Sequence, residues 1–105
     1  MIKIDEHIID SDTSLMDAVS KLEYLSGKLL TLLVCIDKKL VGTLTDGDIR
    51  RGMINGLTIK SKVSECMSKN FSFLFDDQID PKRIQKFRRQ KIYMLPVVNK
   101  NFEIV

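Results

Sequence analysis

Two stretches of this chain repeat each other. Leu33-Val-Cys-Ile-Asp-Lys38 and Leu95-Pro-Val-Val-Asn-Lys100 superpose without a gap, and the helix-like segments before them align as well. A duplicated unit of this size cannot bury its own apolar face. The two copies must therefore pack on each other, through their sheets or their helices.

The first copy opens with an arm, residues 1–7, whose single histidine, His7, is expected at the surface. Ile8-Ile9 is a short extended piece. Ser11, Asp12 and Thr13 are candidate helix caps. Leu15, Val19, Leu22 and Leu25 recur at near-helical spacing, and Gly27 is a plausible terminating glycine. That predicts a helix over roughly 14–26. The run Leu29 to Ile36 is almost continuously apolar, so it reads as a strand buried on both faces. Asp37-Lys38-Lys39 is a turn, and Leu40 to Leu44 returns as the second strand of a hairpin.

At Thr45 the pattern changes from strand-like to helix-like. Thr45 can cap the new helix, on which Ile49 and Met53 share a face, and Asn55-Gly56 ends it. A strand feeding straight into a helix start collects N–H groups and the positive end of a dipole, which suits phosphate. Asp48, three residues on, can turn its carboxylate to the same spot, where it could accept the two hydroxyls of a ribose. Thr45-x-x-Asp48 is equally an ordinary capping box, and the loose pattern recurs at Ser14/Asp17 and Ser20/Glu23. Both readings stand on the sequence.

Residues 57–70 form a polar connector with Leu57, Ile59, Val63 and Met67 as apolar anchors. The second copy follows. Phe71 to Phe75 is a strand. Asp80-Pro81 starts a helix carrying Ile84 and Phe87 inward and ending near Gln90. Tyr93 to Val98 is a strand containing a proline, Asn99 to Asn101 a turn, and Phe102 to Val105 the start of a return strand. The expected division is 1–70 for the first repeat with its linker and 71–105 for an incomplete second repeat. The chain then reads as a fragment whose second copy lacks its last helix.

The 105 residues are 44% hydrophobic and 30% charged, ordinary for a globular domain. No apolar run approaches the ~18 residues of a membrane span. Cys35 and Cys66 fit no zinc or redox spacing, Cys35 reads as a buried small hydrophobe, and a reducing cytoplasm is the natural setting. Net charge is +3, with Lys82, Arg83, Lys86, Arg88, Arg89 and Lys91 in one segment. A nucleic-acid patch and the solvated face of a helix both fit that cluster. The missing interleaved aromatics favour the solvated face.

The β-α-β-β-α repeat, Leu-Pro-Val-Val-Asn at 95–99 and Gly-Thr-Leu-Thr-Asp-Gly-Asp at 42–48 resemble a tandem CBS domain, or Bateman module, over essentially the whole chain. The string Thr-Asp-Gly-Asp-Ile-Arg-Arg resembles the CBS pairs attached to bacterial sugar-phosphate enzymes. One such family places the pair before a sugar-1-phosphate nucleotidyltransferase domain. Another places it after an arabinose-5-phosphate isomerase domain. Met1 lying just before the module, and Asn55-Gly56-Leu57-Thr58 followed by Val63 and Met67, fit the nucleotidyltransferase family. Phe71 departs from the proline common in such linkers, and the second copy lacks the Thr-x-x-Asp motif.

The resemblance implies an α/β (α+β) pseudo-twofold pair, the second repeat truncated. It implies that Thr45 and Asp48 contact phosphate and ribose. It puts the base in an apolar slot at Ile8, Ile9, Leu30, Thr31 and Leu32, with Arg50 and Arg51 either near phosphate or on a solvated helix face. The expected function is regulatory, with no catalysis and no required cofactor. The ligand would be an adenosine, guanosine or cytidine nucleotide, or a nucleotide sugar, and the attached domain a nucleotidyltransferase. A homodimer is expected, with apolar surface uncovered around Phe102 and Ile104, and neither nucleic acid nor membrane as partner. A structural dimerisation module with a vestigial site, or the CBS pair of an isomerase, are the alternatives.

Overall fold

The computed structural model describes residues 4–25, 31–90 and 95–105. A 3-10 turn, Ile4–His7, leads into β1 (Ile8–Asp10), then α1 (Leu15–Tyr24), β2 (Thr31–Ile36), β3 (Lys39–Thr45) and α2 (Asp46–Ile54). A second 3-10 turn, Val63–Glu65, precedes β4 (Leu74–Phe75), α3 (Pro81–Arg89) and β5 (Val97–Val98).

β1 and β2 run parallel, with Ile8 opposite Leu33 and Asp10 opposite Cys35. Parallel neighbours need a crossover, and α1 supplies it. β2 and β3 form an antiparallel hairpin from Thr31 opposite Thr45 to Ile36 opposite Lys39. The pairing slips by one residue between Val34 and Cys35, so Val41 is a bulge. The second unit repeats the plan: β4 and β5 are parallel, with Leu74 opposite Val97, and Ile104 returns antiparallel to Val98.

Leu32 to Cys35 are all buried, as a doubly covered strand requires. Leu32 and Val34 face one core with Leu15, Ala18, Leu22, Leu44 and Ile49. Leu33 and Cys35 face a second core with Leu40 and Val98, against which Phe71, Phe73, Phe75 and Ile104 pack. The two repeats thus meet through their sheets. Each fully buried leucine contributes about 1.5–3 kcal/mol, so β2 anchors both cores.

α1 starts later than its first candidate caps suggest. Ser14 is the cap, accepting from the Asp17 N–H at 3.1 Å. The N–H groups of Leu15 and Met16 donate to the carbonyls of Ser61 and Ile59, so the connector satisfies the helix start. The inward residue is Ala18 rather than Val19, which is exposed. On α2, Ile49 and Gly52 are buried while Met53 is exposed. Gly52 is needed for close approach: a Cβ there would lie 2.9 Å from Cys66 Cβ and 3.0 Å from Leu57 Cδ1. Val63 is the fully buried connector anchor, whereas Ile59 contributes its carbonyl and leaves its side chain exposed. The expected glycine cap, Gly27, lies outside the described residues; Leu25 is the C-cap.

The second unit is less regular. Among the described residues of the strand expected over 71–75, Leu74 and Phe75 pair, opposite Val97 and Val98. The Leu74 N–H donates to the carbonyl of Pro96, which has no N–H to give back. Residues 93–94 of the expected strand lie outside the described residues. α3 is capped by Asp80, which accepts from the Lys82 N–H at 2.9 Å, and ends at Gln90 as expected. Its basic residues Lys82, Arg83, Lys86, Arg88 and Arg89 are exposed.

The hairpins differ in their turns. Asp37 and Lys38 form a two-residue turn, both left-handed at φ +49° and +68°. In the second unit Lys100, Asn101 and Phe102 span the loop between Asn99 and Glu103, and Phe102 takes the left-handed position at φ +64°. Rings Phe73 and Phe75 hold Phe102 there, at centroid distances of 5.3 and 5.6 Å. Its carbonyl accepts from the Leu40 N–H, tying the second hairpin to the first. Of the apolar surface expected to be bare at Phe102 and Ile104, Phe102 does remain exposed, at 36%, whereas Ile104 packs against the sheet-side core.

Candidate functional site

α2 begins directly at the end of β3, so Thr45 is both the last strand residue and the helix N-cap. Its hydroxyl accepts from the Asp48 N–H at 3.2 Å. The Asp48 carboxylate turns back: Oδ2 accepts from the Thr45 N–H at 2.9 Å and from the Thr45 hydroxyl at 3.1 Å. The capping box is closed in both directions. Oδ1 accepts from Arg51 Nη2 at 2.9 Å. The Asp48 side chain is 13% exposed and that of Arg51 66%. The carboxylate is thus held in the shielded floor of the site, and the guanidinium lies over it facing water. Arg50 pairs instead with Asp46 across one helical turn.

Asp48, Arg51, Leu57, Glu65 and Cys66 line a cavity of about 460 Å³ between α2 and the connector. Burial pushes the Cys66 thiol above its ordinary value, and the carboxylates of Asp48 and Glu65 add to that. A neutral thiol is a poor nucleophile and a poor metal ligand. Burial, with Asp10 second, does the same to Cys35, which sits in the sheet-side core as expected. Among the described residues no cluster of histidine, cysteine or carboxylate side chains is arranged to hold a metal.

The structure brings Thr45, Asp48 and Arg51 together and sets Thr31 beside them, opposite Thr45 in the hairpin register. Ile8 and Ile9 are elsewhere. They line a separate cavity of about 440 Å³ at the other end of β2, with Asp10, Cys35, Lys38 and Glu103. Leu32 is fully buried in the helix-side core and lines neither cavity. Leu30 lies outside the described residues. His7, expected at the surface, is buried, and its Nδ1 donates to the Thr31 carbonyl at 3.0 Å. It thereby fixes the backbone next to Thr45. The sequence signal for this was slight: a lone histidine directly before the apolar Ile8-Ile9.

The CBS domain family model matches residues 1–55, just over half of the chain and inclusive of the Thr45–Asp48 junction. The chain belongs to the CBS domain family. Among curated proteins it is similar to arabinose 5-phosphate isomerase GutQ of Escherichia coli O6:H1, with 37% identity over 91 residues. That alignment takes in 84% of this chain but 27% of the relative, so the CBS chain spans about a quarter of the protein it matches. Among solved structures it resembles CBSX2 in complex with AMP, at 24% identity and TM-score 0.73, covering 93% of this chain and 76% of that one. It also resembles the CBS domain pair of protein MJ0100 in complex with 5′-methylthioadenosine and S-adenosyl-L-methionine, at 24% identity and TM-score 0.70, with the same coverage. At such identities the likeness is one of fold. It fits the mixed α and β architecture of two consecutive β-α-β-β units. Among the described residues no helix is long and apolar enough to cross a membrane.

Proposed function

We propose that this CBS chain is a non-catalytic regulatory module that binds a nucleotide at the β3–α2 junction and reports its presence to an attached sugar-phosphate enzyme. Thr45 and the N–H groups that follow it face phosphate, Asp48 takes the ribose diol, and the cavity beside α2 gives the ligand room. One observation carries this reading. A carboxylate that is 13% exposed is fixed beside a helix N-terminus, with an arginine within reach, on a chain of the CBS family. The AMP and adenosyl ligands of the two solved relatives are of the class this arrangement suits.

For the attached enzyme, a nucleotidyltransferase was the expectation from sequence. The named relative is an isomerase acting on arabinose 5-phosphate, and that favours the isomerase. The exposed apolar side chains of α1 and α2 (Met16, Val19, Tyr24, Met53 and Ile54) support association into a homodimer.

Thermal denaturation against AMP, ATP, GMP, CMP and S-adenosyl-L-methionine tests the sensing role. A ligand at ten times its Kd adds about 1.4 kcal/mol to the folded state. For a domain of this size that raises Tm by roughly 5–10 °C. No shift with any of them removes the nucleotide reading and leaves a structural module. Isomerisation of arabinose 5-phosphate by the full-length protein, assayed with and without the ligand found, tests the coupling.

A further inference from the structure

We infer that the cavity at the end of β2 away from Thr45 is a second binding site, one that takes a primary ammonium on an aliphatic chain and turns phosphates away. The inference goes beyond the nucleotide reading and does not depend on it.

The floor of this cavity is apolar and well packed. Ile8, Cys35 and Ile104 line it, and all three belong to or pack against the sheet-side core. The walls come from both units, β1 and the first hairpin on one side and the second hairpin on the other. Its volume, about 440 Å³, is in the range that holds small ligands. Cys35 is 7% exposed, and among the described residues its thiol has no hydrogen-bond partner. A neutral thiol is a weak acceptor, so it can take an N–H but offers nothing to an anion.

The rim sets the charge. Asp10, Asp37 and Glu103 stand on it, with Lys38 as the single base. Among the described residues the ion pairs are Arg50–Asp46, Arg51–Asp48 and Lys62–Asp12, so no carboxylate of the rim is neutralised by a partner. Two of the three are held in place. Asp10 Oδ1 accepts from the Asp12 N–H at 2.8 Å, and Glu103 Oε1 accepts from the Asn99 side-chain amide at 3.0 Å. Each keeps its second oxygen for a ligand. The Asp10 charge reaches the floor: the Cys35 thiol, raised chiefly by burial, is raised further by it. An excess of negative charge above an apolar floor attracts a cation and repels a phosphate. A bare metal ion would gain nothing from the floor. An alkylammonium uses both parts, its N–H groups on the rim and its methylenes on Ile8 and Ile104.

Methyl NMR of the whole chain at low salt, titrated with butylamine, hexylamine and the neutral 1-hexanol, tests this. Hexylamine should shift the Ile8 and Ile104 methyl signals to saturation. Each methylene that reaches the floor should tighten binding by roughly two- to fourfold, so hexylamine should bind more tightly than butylamine. The alcohol, alike in shape but without the charge, should bind about fivefold more weakly or worse. Asp10→Asn combined with Glu103→Gln keeps both local hydrogen bonds and removes two charges. It should weaken hexylamine by about tenfold, at two- to fivefold for each exposed charge. AMP should not displace hexylamine. Equal binding of hexylamine and 1-hexanol would reduce the cavity to a plain apolar patch and overturn the proposal. Unchanged hexylamine affinity in the double variant overturns it too, as does the absence of any shift at Ile8 and Ile104. Displacement of hexylamine by AMP would make this cavity a phosphate-tolerant site and also overturn it.

Discussion

Replacing Asp48 with asparagine separates the two roles of this carboxylate, capping a helix and holding a ligand. The substitution keeps size and polarity and removes the charge. On the folding side, one amide oxygen can still accept from the Thr45 N–H, now 2.9 Å from Oδ2. The same oxygen can still accept from the Thr45 hydroxyl, which leaves the amide NH2 facing Arg51. What is lost is the ionic character of the box and the pair with Arg51. A weakened box costs about 0.5–1 kcal/mol. The pair, 66% exposed on the arginine side, adds less than about 1 kcal/mol. The sum is about 1 kcal/mol, or a fall in Tm of roughly 4–8 °C. On the binding side, a diol clamp loses charge-assisted hydrogen bonds worth about 1.5–3 kcal/mol, roughly ten- to a hundredfold in affinity. Urea denaturation gives the first quantity and calorimetry with AMP the second. The expected result is a protein that folds nearly as well as wild type and binds at least tenfold more weakly. Equal affinity in wild type and variant would refute the clamp and leave Asp48 as a cap alone.

Gly52→Ala should destabilise by about 1–2 kcal/mol, since its Cβ meets a fixed Cβ at Cys66 and overpacking outweighs the helical gain of alanine; the double variant with Cys66→Gly should recover part of that in urea denaturation. Lys38→Gly should be neutral to stabilising by up to about 1 kcal/mol, because relief of a left-handed lysine at φ +68° is partly offset by the freedom glycine has when unfolded. Both thiols titrate above their ordinary value near 9 in the folded chain, so their contribution is complete below that pH and declines as pH rises past it; the urea midpoint should be lower at pH 10 than at pH 7, and less so in Cys35→Ala than in wild type. Light scattering should give twice the 12.1 kDa mass, and Ile54→Glu, at a side chain 82% exposed, should return it to the monomer without changing the fold by circular dichroism.

What was legible in the sequence depended on how local its cause is. The Thr45 cap, the Asp80-Pro81 helix start and the Asn55-Gly56 stop follow from side chains bonding a few residues away, and the structure has all three. β2 could be read because burial on both faces leaves no polar position in its middle. The inward face of α1 was off by one residue, Ala18 for Val19, because spacing tolerates either and only packing on Leu32 and Leu44 decides. The burial of His7 depends on a carbonyl 24 residues on, and no local pattern encodes that. The alignment of the two hairpins holds through Lys100 and fails two residues later, where Phe102 takes a place in the turn. A bulky aromatic is an unlikely-looking residue for a left-handed position, and the rings of Phe73 and Phe75 that stabilise it there come from another strand segment. At the site, Thr45 and Asp48 were visible as a pair, but the ion pair of the carboxylate with Arg51 was not. That requires Arg51 to fold back over Gly47, a matter of three-dimensional space.

The position of β2 connects the site to the rest of the molecule. Its first residue, Thr31, pairs with Thr45 and receives the His7 bond, so it borders the place where a ligand would bind. Two residues on, Leu33 enters the sheet-side core with Val98 and the phenylalanines of the second unit, while Leu32 and Val34 enter the core under α1 and α2. Any shift of α2 on ligand binding would act on Leu44 and Ile49, and through them on Leu32. Close-packed interiors transmit such a shift instead of absorbing it. The second unit then feels it by two routes. One is the alternate face of the same strand. The other is the hydrogen bond from Leu40 on β3 to the carbonyl of Phe102. A regulatory module needs a path from the ligand to a distant surface, and in this fold one strand with a core on each face supplies it.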